Sequence, residues 1–238
     1  MKLICYLSNG YPTIQASLQI AQQYVDAGCD VIEVDFPGRD PYLESDLISM
    51  RMKQALEACD DYEAYMDGMA EMRRRLPDTL LLLMLYEDTL LEIGYDRFVA
   101  FCHQNSFADL ILVGLKDDDV KRRLIADGLK VSCYVQYDLP EEEVAQAVSS
   151  NGFVYMQAKP MGSRRHPACP DLADCISYLR AQGIDRPIYC GVGVHSPADV
   201  DMVKAAGADG AFIGSAILKL HGDAPALARE IQAFKKCC

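Results

Sequence analysis

The chain has 238 residues and a formal net charge of −12, and 50% of its residues are hydrophobic. This length is enough for one large domain or two small ones with a sizeable core. The negative charge argues against a nucleic-acid partner or an anionic membrane surface, although backbone donors could still bind a small anionic substrate. No signal peptide or membrane-spanning segment is visible, so we expect a cytoplasmic protein.

The ten cysteines are scattered along the chain, and no two of them form a C-x-x-C pair. Such pairs are typical of zinc sites, so the spacing predicts no bound metal. In the reducing cytoplasm we expect the cysteines to be free thiols, several of them buried as small hydrophobic side chains.

Short apolar runs alternate with amphipathic helical stretches at intervals of roughly 30 residues. We predict eight strands, over residues 2–8, 29–35, 79–86, 108–113, 129–136, 152–157, 187–190 and 209–213. Helices are predicted over residues 13–27, 46–58, 60–75, 87–104, 117–128, 140–151, 171–182, 196–207 and 224–236, and a short one starts at residue 214. Strands that each precede a helix match a (β/α)8 barrel better than an open doubly wound sheet, so we expect a single α/β barrel domain over residues 1–238.

The stretch over residues 30–46 combines a buried strand with an acidic loop. The apolar run is broken once, by Glu33 near its end, where a carboxylate is costly to bury unless it is paired or does chemistry. The following loop adds Arg39, Asp40, Glu44 and Asp46. Two carboxylates that face each other can divide the acid and base roles of a site. The alternative is that Glu33 is only a satisfied polar residue at a strand end.

Two glycine-containing segments follow the last two predicted strands, where (β/α)8 barrels commonly bind phosphate. Gly191 and Gly193 flank a loop in which backbone N–H groups can approach an oxyanion closely. Gly214 and Ser215 open a helix, which offers free N–H donors, the positive end of the helix dipole and a hydroxyl group. The pair of segments predicts a phosphate site.

Short motifs spread over nearly the whole chain match those of one known family. The matching segments are 9–12 (Asn-Gly-Tyr-Pro), 27–34 (Ala-Gly-Cys-Asp-Val-Ile-Glu-Val), 36–41, 84–86, 152–155 (Gly-Phe-Val-Tyr), 191–194 and 208–217. Together they resemble the tryptophan synthase alpha chain family.

The resemblance implies a barrel that cleaves indole-3-glycerol phosphate to indole and glyceraldehyde 3-phosphate, a retro-aldol reaction that uses no cofactor. It implies that Glu33 is the general acid–base that protonates indole C3, and that Tyr155 lines the site. The residues implied to hold the phosphate are Gly193, Gly214 and Ser215. Tyr86, at the end of the third predicted strand, is a further candidate for lining the substrate pocket.

Two loops depart from the family pattern. The second catalytic Asp of the family motif D-P-L-A-D-G-P aligns with Glu44, and Asp46 is a second candidate if the loop folds differently. The family's G-V-T-G after strand six is replaced by a more basic sequence, in which Arg164 or Arg165 could contact an anion.

The segments that contact the beta chain in the family also differ. The loop over residues 114–117 replaces P-D-L-P, and the segment before the first strand is missing, so we expect a tryptophan synthase beta chain to be a doubtful partner. Three functions stay open. They are an alpha-chain-type lyase, a divergent lyase or isomerase acting on another phosphorylated substrate, and a catalytically impaired homologue that binds a metabolite or a partner.

Overall fold

Nine parallel strands form one sheet in the computed structural model, which describes residues 1–116 and 118–238. The strands are β1 (Lys2–Leu7), β2 (Val31–Asp35), β3 (Leu80–Tyr86), β4 (Asp109–Val113), β5 (Lys130–Val131), β6 (Cys133–Val135), β7 (Val154–Gln157), β8 (Ile188–Gly191) and β9 (Gly210–Ile213). Their order across the sheet is β5-β4-β3-β2-β1-β9-β8-β7-β6.

The helices lie in the connections between these strands and after the last one. They are α1 (Ile14–Asp26), α2 (Asp46–Ala58), α3 (Tyr62–Arg75), α4 (Glu87–Ile93), α5 (Tyr95–Gln104), α6 (Asp119–Ala126), α7 (Glu141–Ser149), α8 (Leu172–Ala181), α9 (Pro197–Ala205), α10 (Ser215–Leu218) and α11 (Ala224–Cys237). Within the described ranges, none of them is long and apolar enough to cross a membrane.

The two edge strands, β5 and β6, are neighbours in sequence, and the chain crosses between them at Ser132. The Ser132 N–H donates to the carbonyl of Leu110 in β4 at 2.9 Å, whereas the Cys133 N–H donates to the carbonyl of Phe153, next to β7, at 3.1 Å. The sheet therefore curls into a nearly closed barrel surrounded by helices, and the predicted (β/α)8 fold is confirmed.

Two predicted elements are interrupted in the structure. The predicted strand over residues 129–136 is divided into β5 and β6 because its hydrogen bonds change partner at Ser132, from β4 to β7. The predicted helix over residues 87–104 is two helices, because Gly94 between them has a φ of +95°, outside the helical region. The helix start predicted at Asp117 lies outside the described residues, and α6 begins at Asp119.

Side-chain hydrogen bonds cap the start of several helices. The Thr13 hydroxyl caps α1, and the Asp61 carboxylate caps α3. At α9, Ser196 and Asp199 form a reciprocal capping box, with Pro197 in the first turn. These caps fix where the chain leaves each loop, including the glycine loop between β8 and α9.

The barrel interior holds a small apolar cluster that is separate from the main core. Its members on the strands lie on one face of the pleated sheet and include Ile4, Val31, Leu82, Met84, Ile111, Tyr189 and Phe212, and Phe153 precedes β7. The larger cluster contains the residues between them, such as Leu3, Cys5, Ile32 and Val34, and packs against the helices.

The inward face of β2 changes from apolar to acidic toward the carboxyl end of the strand. Val31 belongs to the interior cluster, and Glu33 and Asp35 follow at intervals of two residues on the same face. In the parallel pairing with β1, Glu33 stands opposite Tyr6. Active sites of (β/α)8 barrels lie at this end of the strands, so the fold places two carboxylates where chemistry is expected.

Candidate active site

Glu33 is almost completely buried at the carboxyl half of β2, with 7% of its surface exposed. Within residues 1–116 and 118–238 it forms no hydrogen bond or salt bridge. Burial raises the pKa of Glu33 well above its ordinary value, and the nearby charges of Glu44 and Asp35 raise it further. A carboxyl group in this environment keeps a proton that it can donate.

Asp35 is a buried carboxylate that the sequence reasoning did not single out. It has no exposed surface, and it accepts hydrogen bonds from the Tyr6 hydroxyl at 2.5 Å and from the Asn9 N–H at 2.6 Å. Burial raises the pKa of Asp35 to about 7, although these two hydrogen bonds act in the opposite direction. The signal that could have found it is the two-residue spacing from Glu33 on one strand face.

Glu44 reaches the same region from the loop between β2 and α2. It is half-buried, and burial raises its pKa to about 7. Its charge contributes to the raised pKa values of both Glu33 and Asp35, so its carboxylate lies near both. Asp46, the alternative candidate, is exposed in the first turn of α2. The structure therefore brings Glu44 close to Glu33.

Aromatic side chains pack together next to the carboxyl groups. Tyr155 on β7 stacks on Phe212 of β9, with ring centroids 4.3 Å apart and an interplanar angle of 10°. The ring of Tyr134 packs edge-on against the ring of Tyr155. Burial and then the charge of Glu33 raise the pKa of Tyr155, which places its phenol near that carboxyl group. A Cβ at Gly191 would lie 2.4 Å from the Tyr155 hydroxyl, so glycine at that position makes room for this side chain.

Tyr86 lies at the end of β3, on the opposite side of β2 from Tyr6. Its ring packs against Tyr42, with centroids 5.8 Å apart, and its hydroxyl oxygen accepts a hydrogen bond from the Leu43 N–H at 3.2 Å. The predicted pocket residue is thus in direct contact with the loop that carries Glu44.

The two predicted phosphate-binding segments follow β8 and β9, which are adjacent strands. Gly193 has a φ of +104°, and a Cβ there would lie 2.9 Å from Cβ of Lys159, so the loop backbone requires glycine. Gly214 precedes α10, and Ser215 is the first residue of that helix. Lys159, which the sequence reasoning did not consider, places a cation next to this loop and forms a 2.5 Å ion pair with Asp199.

Arg164 lies apart from these segments, at a cavity of about 220 Å³ on the rim between β6 and β7. The other lining residues are Gln136, Tyr137, Asp138, Gln157 and Met161. Gln157 is 2% exposed, and its side-chain nitrogen has no hydrogen-bond partner among the described residues. Arg165 is the other basic candidate, and its guanidinium carbon lies 5.9 Å from the centroid of the Tyr137 ring.

In the parts of the chain that the structure describes, no three His, Cys, Asp or Glu side chains are arranged so that they could hold a metal ion. The barrel mouth presents three carboxyl groups, tyrosine hydroxyls and backbone donors. Such a site can give a proton to one atom of a substrate and take one from another.

Comparison with known sequences finds similarity along the whole chain. The family model described as Tryptophan synthase alpha chain matches residues 1–237. A Tryptophan synthase alpha chain from Vibrio cholerae is 29% identical over 247 residues, which cover 97% of this chain and 91% of the relative. The Tryptophan synthase of Saccharomyces cerevisiae is 27% identical over 229 residues; the match covers 94% of this chain but only 32% of the yeast protein.

Solved structures share the barrel. A chain from Aquifex aeolicus superposes with a TM-score of 0.87 at 21% identity, over 99% of this chain and 92% of the other. At that identity the likeness shows the fold alone. A tryptophan synthase structure from Mycobacterium tuberculosis gives a TM-score of 0.83 at 26% identity, again over 99% of this chain and 92% of the other.

Proposed function

This chain belongs to the tryptophan synthase alpha chain family, and from that premise we propose that it cleaves indole-3-glycerol phosphate to indole and glyceraldehyde 3-phosphate. The reaction would be a cofactor-independent retro-aldol cleavage of a carbon–carbon bond. The observation that supports this best is the meeting of Glu33 and Glu44 at the barrel mouth, each with a raised pKa.

In the proposed reaction Glu33 is the general acid. Its buried, protonated carboxyl group donates a proton to C3 of the indole ring, and the resulting C=N⁺ bond can accept the electrons of the breaking carbon–carbon bond. Glu44 is the base, and takes a proton from the glycerol hydroxyl or from the indole N–H. Its pKa of about 7 leaves a substantial fraction ionised at neutral pH, as a base requires.

The remaining site residues would bind the substrate. The stacked pair of Tyr155 and Phe212 offers a flat apolar face for an indole ring. We assign the phosphate to the backbone donors and hydroxyl of Gly193, Gly214 and Ser215. The assignments of Tyr86 as a pocket residue and of Arg164 as an anion contact at the rim belong to the same proposal.

A second candidate function is a lyase or isomerase reaction on a different phosphorylated substrate. Asp35 favours it, because this third buried carboxyl group has no part in the acid and base steps above. The same phosphate-binding segments would serve that substrate.

The test is to incubate the purified chain alone with indole-3-glycerol phosphate and to measure indole and glyceraldehyde 3-phosphate together. We expect the two products in equal amounts. Absence of both would overturn the indole substrate and would favour the second candidate.

We also propose that the chain acts as one domain in the cytoplasm, on a phosphorylated small molecule, and without a beta chain. The reason for the last point is the altered loop over residues 114–117, of which Asp117 lies outside the described residues. Addition of a tryptophan synthase beta chain to the same assay should then leave the rate of indole release unchanged.

A further inference from the structure

The loop between β2 and α2 ends in a turn over residues 41–44, whose last residue is Glu44. The Glu44 N–H donates to the carbonyl of Pro41 at 3.0 Å and closes this turn. The side chains at its tip, Tyr42 and Leu43, are 64% and 60% exposed. The turn therefore gains little from burial, and a few specific contacts must hold it against the barrel.

Tyr86 provides the contacts that reach the tip. Its hydroxyl oxygen accepts the Leu43 N–H at 3.2 Å, and its ring supports the ring of Tyr42. After burial, the charge of Glu44 is the largest influence that raises the pKa of Tyr86, so the carboxylate lies close to the phenol. We propose that Tyr86 is a positioning residue that holds the turn so that Glu44 faces Glu33 across the barrel mouth.

The backbone on both sides is adapted to this pair of rings. Gly114, after β4, has a φ of +67°, and a Cβ there would lie 3.0 Å from both the Tyr42 hydroxyl and Cδ1 of Tyr86. A Cβ at Gly38 would lie 3.1 Å from Cδ2 of Tyr86. The two glycines thus allow the Tyr86 ring to fit between β4 and the loop.

The first half of the loop has its own anchor. The Arg39 guanidinium donates to both carboxylate oxygens of Glu92, at 2.8 and 3.0 Å from Nε, and also pairs with Asp60 at 2.7 Å. Loss of the Tyr86 hydroxyl should therefore release the turn at residues 41–44 and leave the rest of the loop in place.

Tyr86→Phe removes the hydroxyl oxygen that accepts the Leu43 N–H and keeps the aromatic ring. Tyr42→Phe is a matched control. Among the described residues the Tyr42 hydroxyl accepts no hydrogen bond. The prediction for kcat rests on the proposed function, in which Glu44 is the base. We expect Tyr86→Phe to lower kcat for indole release between about 3-fold and 100-fold, and Tyr42→Phe to change it by less than about 2-fold.

The kinetic effect should depend on Glu44. In a Glu44→Gln background, Tyr86→Phe should lower kcat by less than about a further 2-fold, because the group that it positions is already disabled. An equal loss in both backgrounds would overturn the proposal, since Tyr86 would then act independently of Glu44.

A second readout requires no turnover. By NMR, the Leu43 amide should exchange with solvent about 10-fold or more faster in Tyr86→Phe than in the parent or in Tyr42→Phe. The Glu44 carboxyl group, which faces Glu33, Asp35, Tyr6, Tyr155 and Tyr86, should titrate near pH 7 in the parent and closer to the ordinary value of about 4.3 in Tyr86→Phe. Unchanged exchange and titration in Tyr86→Phe would overturn the positioning role. An inactive parent would overturn the lyase proposal alone.

Discussion

Three carboxyl groups with raised pKa values lie close together at the mouth of this barrel. Glu33 and Asp35 come from one face of β2, and Glu44 comes from the loop that follows. The charges of Glu44 and Asp35 oppose the ionisation of Glu33, and the charge of Glu44 also opposes that of Asp35. A set of this kind retains at least one proton near neutral pH, which is what a proton donor to carbon requires.

Asp35 should make the stability of the protein depend on pH. Its pKa is about 7 in the folded chain against about 3.9 in the unfolded chain, so the folded state keeps a proton that the unfolded state has already lost. Stability should therefore fall as the pH rises from about 4 to about 7, by up to about 1.4 kcal/mol per pH unit, and then level off. The charges that face Asp35 are those of Glu33, Glu44 and Arg51, beside the Tyr6 phenol.

Asp35→Asn removes this titration and can keep both hydrogen bonds, because its amide can donate to Tyr6 and accept from Asn9. In urea denaturation the variant and the parent should be similar at pH 4.5, and the variant should be more stable at pH 8 by up to about 4 kcal/mol. Parallel stability curves for the two proteins over this range would contradict the assignment.

Among the secondary-structure elements, the start of α9 connects the loop after β8, which belongs to the proposed phosphate site, to the loop after β7. Asp199 accepts the N–H groups of His195 and Ser196 and also binds the Lys159 ammonium at 2.5 Å. The capping box therefore joins the loop after β7 to the loop after β8. Its loss should cost stability and loosen the segment around Gly193.

Ser196→Ala should lower the free energy of unfolding by about 1 kcal/mol, because the hydroxyl accepts the N–H of Asp199 in the first turn of α9. Ser45→Ala is the matched control, since Ser45 occupies the same position before α2 but makes no capping hydrogen bond. Chemical denaturation of both variants measures the difference. Equal losses at the two sites would show that the capping box contributes nothing specific.

The sequence could predict the barrel as a whole because each buried strand is a separate apolar run between helical patterns. It could not predict the break at Ser132, because the run over residues 129–136 is continuous and only pairing across the sheet divides it. Glu33 could be found because it interrupts an apolar strand. Asp35 was missed because its partners, Tyr6 and Asn9, come from a different part of the chain.

In the proposed reaction, a buried carboxyl group on β2 gives the proton that leads to cleavage of the carbon–carbon bond. The most direct measurement is the single-turnover rate of indole release from bound indole-3-glycerol phosphate by the parent and by Glu33→Gln. We expect a loss of about 100-fold or more with substrate affinity nearly unchanged, because the amide keeps the shape of the side chain and cannot give up a proton. Equal rates in the two proteins would contradict the claim.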